Sequence, residues 1–431
     1  MFLFITLLSI YFFFKSKTKE LFTLFLILII SIPNKVEIKQ FLFIQLGRVD
    51  TSFIPLYLLI IHRLLYIVLT KKKVVFNREL LIIFFFSILF IVILVKGILN
   101  NNSASFILGE GILYFNLLIV FISIMVLKNK LIMEEIIFIF NKSVIIYSIL
   151  VITLQLFGKS LLSVLYNGQF DGRVTFNNTT AIVLTVIMSI YLLKNKMDML
   201  LSLSSIILGT CAIFISQSRS LIVVYLFLIG VILLELTSLK VSKRMFYKRI
   251  LIVMSSIFTF IIIGIMLWNS NFELINRLKY RFFSEGNLTI NMREVTNQQV
   301  LTLIQKKPFG YGLGKGLDLY HPQGFVVSTG WYVDNIFYTF GAKAGIFGIL
   351  ILVILTVIVF LKIFNAFKKS NGNHKSFLFM LLVVSPIYYY YISWINAQIL
   401  YAYPVFVTVL IVYKIFISPT NNKNLKGSST Y

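Results

Sequence analysis

Residues 80–95 read LLIIFFFSILFIVILV and residues 346–361 read IFGILILVILTVIVFL, two runs without a single charge. Crossing about 30 Å of hydrocarbon takes about 20 predominantly apolar residues in a helix. Both runs reach that length once their flanks are added, and similar blocks recur along the chain. The whole sequence of 431 residues is 59% hydrophobic and 13% charged, with a mean hydropathy of +0.93. A soluble domain is usually about 45–50% apolar and about 25% charged. The sequence therefore takes lipid as its solvent.

Working outward, apolar blocks fall at residues 1–14, 21–32, 53–70, 80–99, 106–127, 143–157, 180–193, 197–215, 220–237, 250–268, 335–361, 377–395 and 399–417. The expected fold is an all-α polytopic membrane protein with about 12–13 spans. The first block has neither a basic leader nor a small-residue cleavage site, so it reads as a retained segment. The single cysteine, Cys211, lies inside an apolar block and excludes an internal disulfide framework.

The chain carries 40 Lys+Arg against 15 Asp+Glu, a net charge of +25. In a soluble protein this would suggest nucleic acid, but here the excess sits in short connectors at residues 71–78, 128–130, 194–196, 240–249 and 368–375. Cytoplasmic Lys and Arg set helix orientation, so these connectors are placed inside and nucleic acid is not an expected partner. The connectors that alternate with them, residues 100–105 and 396–398 among them, are poor in basic residues. Residues 1–268 then form a helical bundle with an outer loop at 158–179. Residues 269–334 form a large extracytoplasmic loop, 335–417 the C-terminal spans, and 418–431 a cytoplasmic tail. No inverted repeat or matched pair of broken segments marks a transporter site.

The large loop carries the polar chemistry: NSNFELINRLKYRFFSEGNLTINMREVTNQQVLTLIQKKPFGYGLGKGLDLYHPQGFVVSTGWYVDN, residues 269–335. A helix is expected over 294–306, with Arg293 at its head, ended by Lys307-Pro308. Gly310, Gly312, Gly314 and Gly316 then make a turn in which backbone packs closely against the membrane domain. They lack the strand-turn-helix context of a dinucleotide fingerprint and the Walker spacing. Asp334-Asn335 opens the next helix, and Asp334 is a candidate cap for its free N–H groups. Only His62, His321 and His374 occur, without a Cys/His cluster. Asp318 and His321 would share one helical turn, but two ligands make a poor site, so neither a metal nor another cofactor is expected.

Three arginines stand out: Arg173 in FDGRVTFNN, Arg219 in SQSRS between two apolar blocks, and Arg293. A charge at the bilayer centre costs about 2.5–3.5 kcal/mol on insertion scales, so such residues usually face a cavity and carry function. Each also fits a plainer role as a loop arginine binding lipid headgroups. Gathered at the outer face, they would suit a diphosphate, because guanidinium forks bind phosphate oxygens in pairs.

At these residues the sequence resembles the bacterial superfamily of O-antigen ligases and O-antigen or capsular polysaccharide polymerases. The matching pieces are GRVTF (172–176) followed by Asn177-Asn178, SQSRS (216–220), R-x14-PFGYGLG (293–314) and VDN-x9-GIFG (333–348). The resemblance implies a GT-C-like glycosyltransferase in the bacterial cytoplasmic membrane, acting at its outer face on undecaprenyl-diphosphate-linked oligosaccharides. It also implies work beside chain-length regulator and flippase proteins. The ligases place a His in H-N/S-x-x-L before a late helix, where this chain reads Asp334-Asn335-Ile336-Phe337. That departure favours a polymerase and leaves the base open.

An enzyme outside the cell has no ATP, so its substrate must carry its own leaving group. A lipid diphosphate is one, and paired arginines would stabilise the charge it develops. Asp334 is the first candidate for the general base and His321 the second. Asp334 also fits a plain cap, and His321 a solvated loop residue. The alternatives are a ligase-like glycan transferase and a flippase or exporter of lipid-linked oligosaccharide.

Overall fold

A computed structural model describes residues 2–32, 45–46, 49–70, 78–126, 133–165, 179–215, 219–238, 276, 286–321, 323–330, 333 and 335–395. The described chain is almost entirely helical. In order come α1 (Phe2–Phe14), α2 (Thr18–Ser31), a short hairpin of β1 (Gln45–Leu46) and β2 (Val49–Asp50), and a 3-10 turn leading into α3 (Ile54–Thr70). Then follow α4 (Arg78–Leu99), α5 (Ala104–Val126), α6 (Met133–Leu165), α7 (Thr179–Lys194), α8 (Met199–Ile215) and α9 (Arg219–Ser238). The loop region supplies α10 (Gly286–Lys306) and an antiparallel hairpin of β3 (Leu317–Tyr320) and β4 (Val326–Gly330). It leads into α11 (Ile336–Lys369) and α12 (Gly372–Ile395). The apolar blocks expected at 250–268 and 399–417 lie outside the described residues.

The main core is built where α2, α6, α7, α8, α9 and α12 meet, with Phe25, Phe140, Tyr147, Ile187, Leu228 and Phe377 fully or almost fully buried. Small and polar side chains let these helices approach. An added Cβ at Gly209 would lie 2.7 Å from Ile182 Cγ2. The hydroxyl of Ser189 donates to Asn141 Oδ1 across the α6–α7 contact at 2.5 Å. Small residues and side-chain hydrogen bonds of this kind hold helices together in lipid, where burying apolar area contributes little. The outside shows large exposed apolar side chains, among them Phe84, Ile91, Leu200 and Ile354.

Among the described residues, two helical stretches, Thr51–Thr70 and Glu134–Leu154, are long and apolar enough to cross a membrane. Shorter apolar stretches include Ala181–Lys194 and Met199–Ile215. Two elements outrun their expected limits. Helix α6 continues to Leu165, through the start of the loop expected at 158–179, and α10 begins at Gly286 instead of near 294. Arg293 therefore lies inside α10, not at its head.

Helix α11 is broken. Gly345 has φ 73° and ψ −166°, outside any helical region. The break is stabilised from another part of the chain, because the glycine run after α10 folds back onto it. Tyr311 N–H donates to Ala342 O at 2.8 Å, Gly312 N–H to Lys343 O at 2.9 Å, and Ile346 N–H to Pro308 O at 2.9 Å. Carbonyls and an amide freed by the break thus find partners in residues 308–312, as buried backbone groups must.

Candidate active site

The glycine run is the structural hub of the loop region. Gly310, Gly312 and Gly314 have φ of 82°, 84° and 75°, a left-handed conformation that side chains disfavour. Each also lies against backbone or a half-buried side chain. An added Cβ would stand 2.3 Å from Lys343 O at Gly310, 2.1 Å from Gly97 N at Gly312, and 2.3 Å from Ile107 Cγ1 at Gly314. The close backbone packing expected of this run is what the fold contains. Leu313 is buried among Ile93, Tyr114 and Phe340, and its N–H donates to Ile93 O at 3.0 Å.

Polar side chains from the α4–α5 connector complete the clamp. Asn100 Nδ2 and Asn102 Nδ2 both donate to Tyr311 O at 2.9 Å, and Asn102 Nδ2 also donates to Leu313 O at 2.7 Å. Beneath them Lys343 of α11 forms an ion pair with Glu110 of α5, both almost completely buried. The second carboxylate oxygen, Glu110 Oε2, accepts from Gly314 N–H at 2.7 Å. One buried carboxylate thus joins α5, the broken helix and the glycine run. Sequence reasoning missed both residues. The available signal was a charge inside each of two apolar blocks, since intramembrane charges are rarely idle.

The loop helix connects to this hub. The hydroxyl of Thr296, on α10, accepts from Tyr320 N–H at 3.0 Å, tying α10 to β3. Arg293, one turn earlier, is half-buried. Asp318 lies on a strand, and its carboxylate accepts from the Thr329 hydroxyl at 2.5 Å. The helical turn that would have paired it with His321 does not exist. Among the described residues no group of three potential ligands could hold a metal ion.

His321 closes the β3–β4 turn. Its N–H donates to Phe325 O at 2.8 Å, and its ring stacks on Phe325 with centroids 4.5 Å apart. Its Nδ1 accepts from Gln323 N–H at 3.3 Å. This geometry serves the turn.

Asp334 and Arg173 lie outside the described residues, and Arg219 is the first residue of α9, with its side chain outside them too. The neighbours of Asp334 are described and firmly held. Val333 is buried, and its N–H donates to Thr339 Oγ1 at 3.1 Å. The cap of α11 is Asn335, not Asp334: Asn335 Oδ1 accepts from Phe337 N–H at 2.9 Å and from Tyr338 N–H at 3.4 Å. An Asx side chain one residue later reaches the free amides of the first turn, which leaves the capping role filled without the carboxylate.

No curated protein and no solved structure matches the chain. Residues 204–353, which run from α8 through the SQSRS segment, α10, the hairpin and the break in α11, match the family model described as O-antigen ligase. That match supports the superfamily of O-antigen ligases and polymerases for this chain, and with it a membrane protein that acts as a glycan transferase in the general sense.

Proposed function

We propose that the chain is a polysaccharide polymerase of the bacterial cytoplasmic membrane, joining undecaprenyl-diphosphate-linked repeat units at the outer face. In this reading the chain crosses the membrane about 12–13 times, and the region holding α10 and the β3–β4 hairpin faces outward. The anomeric carbon of the growing glycan breaks its bond to the diphosphate oxygen and bonds to a hydroxyl oxygen of the next repeat unit. The hydroxyl proton passes to a base, and undecaprenyl diphosphate leaves. Arg173, Arg219 and Arg293 bind the departing diphosphate, where charge develops. Asp334 accepts the proton, with His321 as the second candidate.

The observation that carries a polymerase over a ligase is the segment Asp334-Asn335-Ile336-Phe337, which stands where the ligases it resembles have a histidine. The assignment of the cap to Asn335 supports it, because the carboxylate is then not needed to start α11. The ligase reading keeps one point in its favour, the description of the matched family model. A deletion strain separates the readings by what remains. Loss of a polymerase leaves single repeat units at the surface, loss of a ligase leaves long polymer on undecaprenyl diphosphate, and loss of a flippase removes surface glycan altogether. Long lipid-linked polymer in the deletion strain would overturn the proposal.

A further inference from the structure

Three lysines gather on the outside of the clamped glycine run, and the reaction described above does not use them. Lys307 Nζ stands 4.9 Å and Lys315 Nζ 5.2 Å from the centroid of the Tyr311 ring. Lys96, at the end of α4, donates from Nζ to Phe309 O at 2.6 Å and lies 5.7 Å from the Phe309 ring. Lys96 and Lys307 are close enough to repel each other. Among the described residues no carboxylate pairs with any of the three. Glu110 is taken by Lys343 and Gly314, and Asp318 by Thr329. Like charges that stand near one another favour an anion beside them.

The mounting is rigid. Lys307 Nζ donates to Asn100 Oδ1 at 3.1 Å, and the backbone between Lys307 and Lys315 is fixed on α4, α5 and α11 by the clamp described above. A pre-set arrangement spares a ligand the entropy of ordering the site. Beside the ammonium groups lies apolar surface. Phe309, 66% exposed, stacks on Phe347, 57% exposed, with centroids 5.8 Å apart, and Ile346 adjoins them. A cationic patch that continues into exposed aromatic rings matches a phosphate group with a hydrocarbon chain attached.

We propose that Lys96, Lys307 and Lys315 form a seat for a lipid-borne diphosphate, with the Phe309–Phe347 face receiving the first part of its prenyl chain. The inference rests on the polymerase reading in one respect. Joining two lipid-linked units needs two diphosphates bound at once, one that leaves and one that stays on the acceptor. The leaving group calls for arginine forks that follow developing charge. The acceptor's diphosphate keeps its bonds, and exchangeable point charges are enough to hold it.

The test is equilibrium binding of a fluorescent short-chain polyprenyl diphosphate, bearing no sugar, to the full chain in phosphatidylcholine nanodiscs. The seat predicts that K307Q/K315Q weakens one class of site roughly tenfold, as expected for losing charge-assisted contacts. It also predicts that K307R/K315R restores binding, and that the thermal midpoint changes little in both variants, because Lys307 is exposed, Lys315 is half-buried, and neither pairs with a carboxylate among the described residues. Inorganic diphosphate in excess should displace the probe from this class, whereas phosphatidylglycerol should displace it poorly. Equal displacement by phosphatidylglycerol would make the patch a general contact for anionic lipid and overturn the proposal, as would probe binding indifferent to K307Q/K315Q. Lysine-dependent binding by a chain that joins no repeat units would leave the seat standing and remove the polymerase reading.

Discussion

Removing one partner of the Glu110–Lys343 pair leaves the other charge buried and alone. Lys343 is 1% and Glu110 0% exposed, so neither can turn to water. Breaking a buried pair from one side costs about 3–5 kcal/mol, whereas replacing both partners by uncharged residues is often neutral. The cycle is therefore Glu110→Gln, Lys343→Met and the double variant. Glutamine keeps an amide oxygen for Gly314 N–H, so the backbone bond survives while the charge goes. Each single variant should lower the thermal midpoint of the detergent-solubilised protein by roughly 6–10 °C, taking about 2 °C per kcal/mol for a large domain. The double variant should return to within about 3 °C of the parent, a coupling that a double-mutant cycle reads directly. Tryptophan fluorescence on heating supplies the midpoints. Single variants as stable as the parent, or a double variant as unstable as Lys343→Met, would refute the idea that this pair ties the glycine run to the broken helix.

The clamp makes a second forecast. Gly312→Ala places a Cβ 2.1 Å from Gly97 N, so it should abolish glycan extension and lower accumulation, whereas Gly111→Ala, where nothing lies within 4 Å, should be silent in the same gel assay. Arg173→Ala, Arg219→Ala and Arg293→Ala should each stop chain extension while the protein still accumulates in the membrane, and Lys should rescue poorly because a point charge cannot replace a fork. Normal polymer in all three would move the diphosphate site elsewhere. Asp334→Asn should cost about 10²–10⁴ in rate without disturbing α11, whose cap is Asn335. His321→Ala should keep at least partial activity, and the opposite outcome would make His321 the base. On a Cys211→Ser background, a cysteine replacing Asn287 should react with an impermeant maleimide in spheroplasts and one replacing Asn371 should not. The reverse labelling would invert the orientation.

Helix positions were legible because each depends on its own apolar block. The blocks at 180–193, 197–215 and 220–237 became Thr179–Lys194, Met199–Ile215 and Arg219–Ser238. The break at Gly345 was hidden, because what makes it tolerable is a set of hydrogen bonds from residues 308–312, supplied after the chain has turned back. The glycine run itself was readable as close-packed backbone, but its partners were not. Glu110 and Lys343 are far apart in sequence, and nothing local says that they meet. Asp334 was read as a cap for the right physical reason and one residue too early, since Asn335 carries the same kind of acceptor oxygen. The three arginines were legible only as residue types in a resembling pattern.

Reconstitution tests most directly whether this chain alone joins lipid-linked repeat units. The purified protein would be placed in liposomes with one undecaprenyl-diphosphate-linked repeat unit and no nucleotide. The account predicts a ladder of lipid-linked oligomers, with one undecaprenyl diphosphate released for each bond formed and no ladder from Asp334→Asn. Repeat units that stay single in the presence of folded protein, or a ladder unaffected by Asp334→Asn, would contradict it.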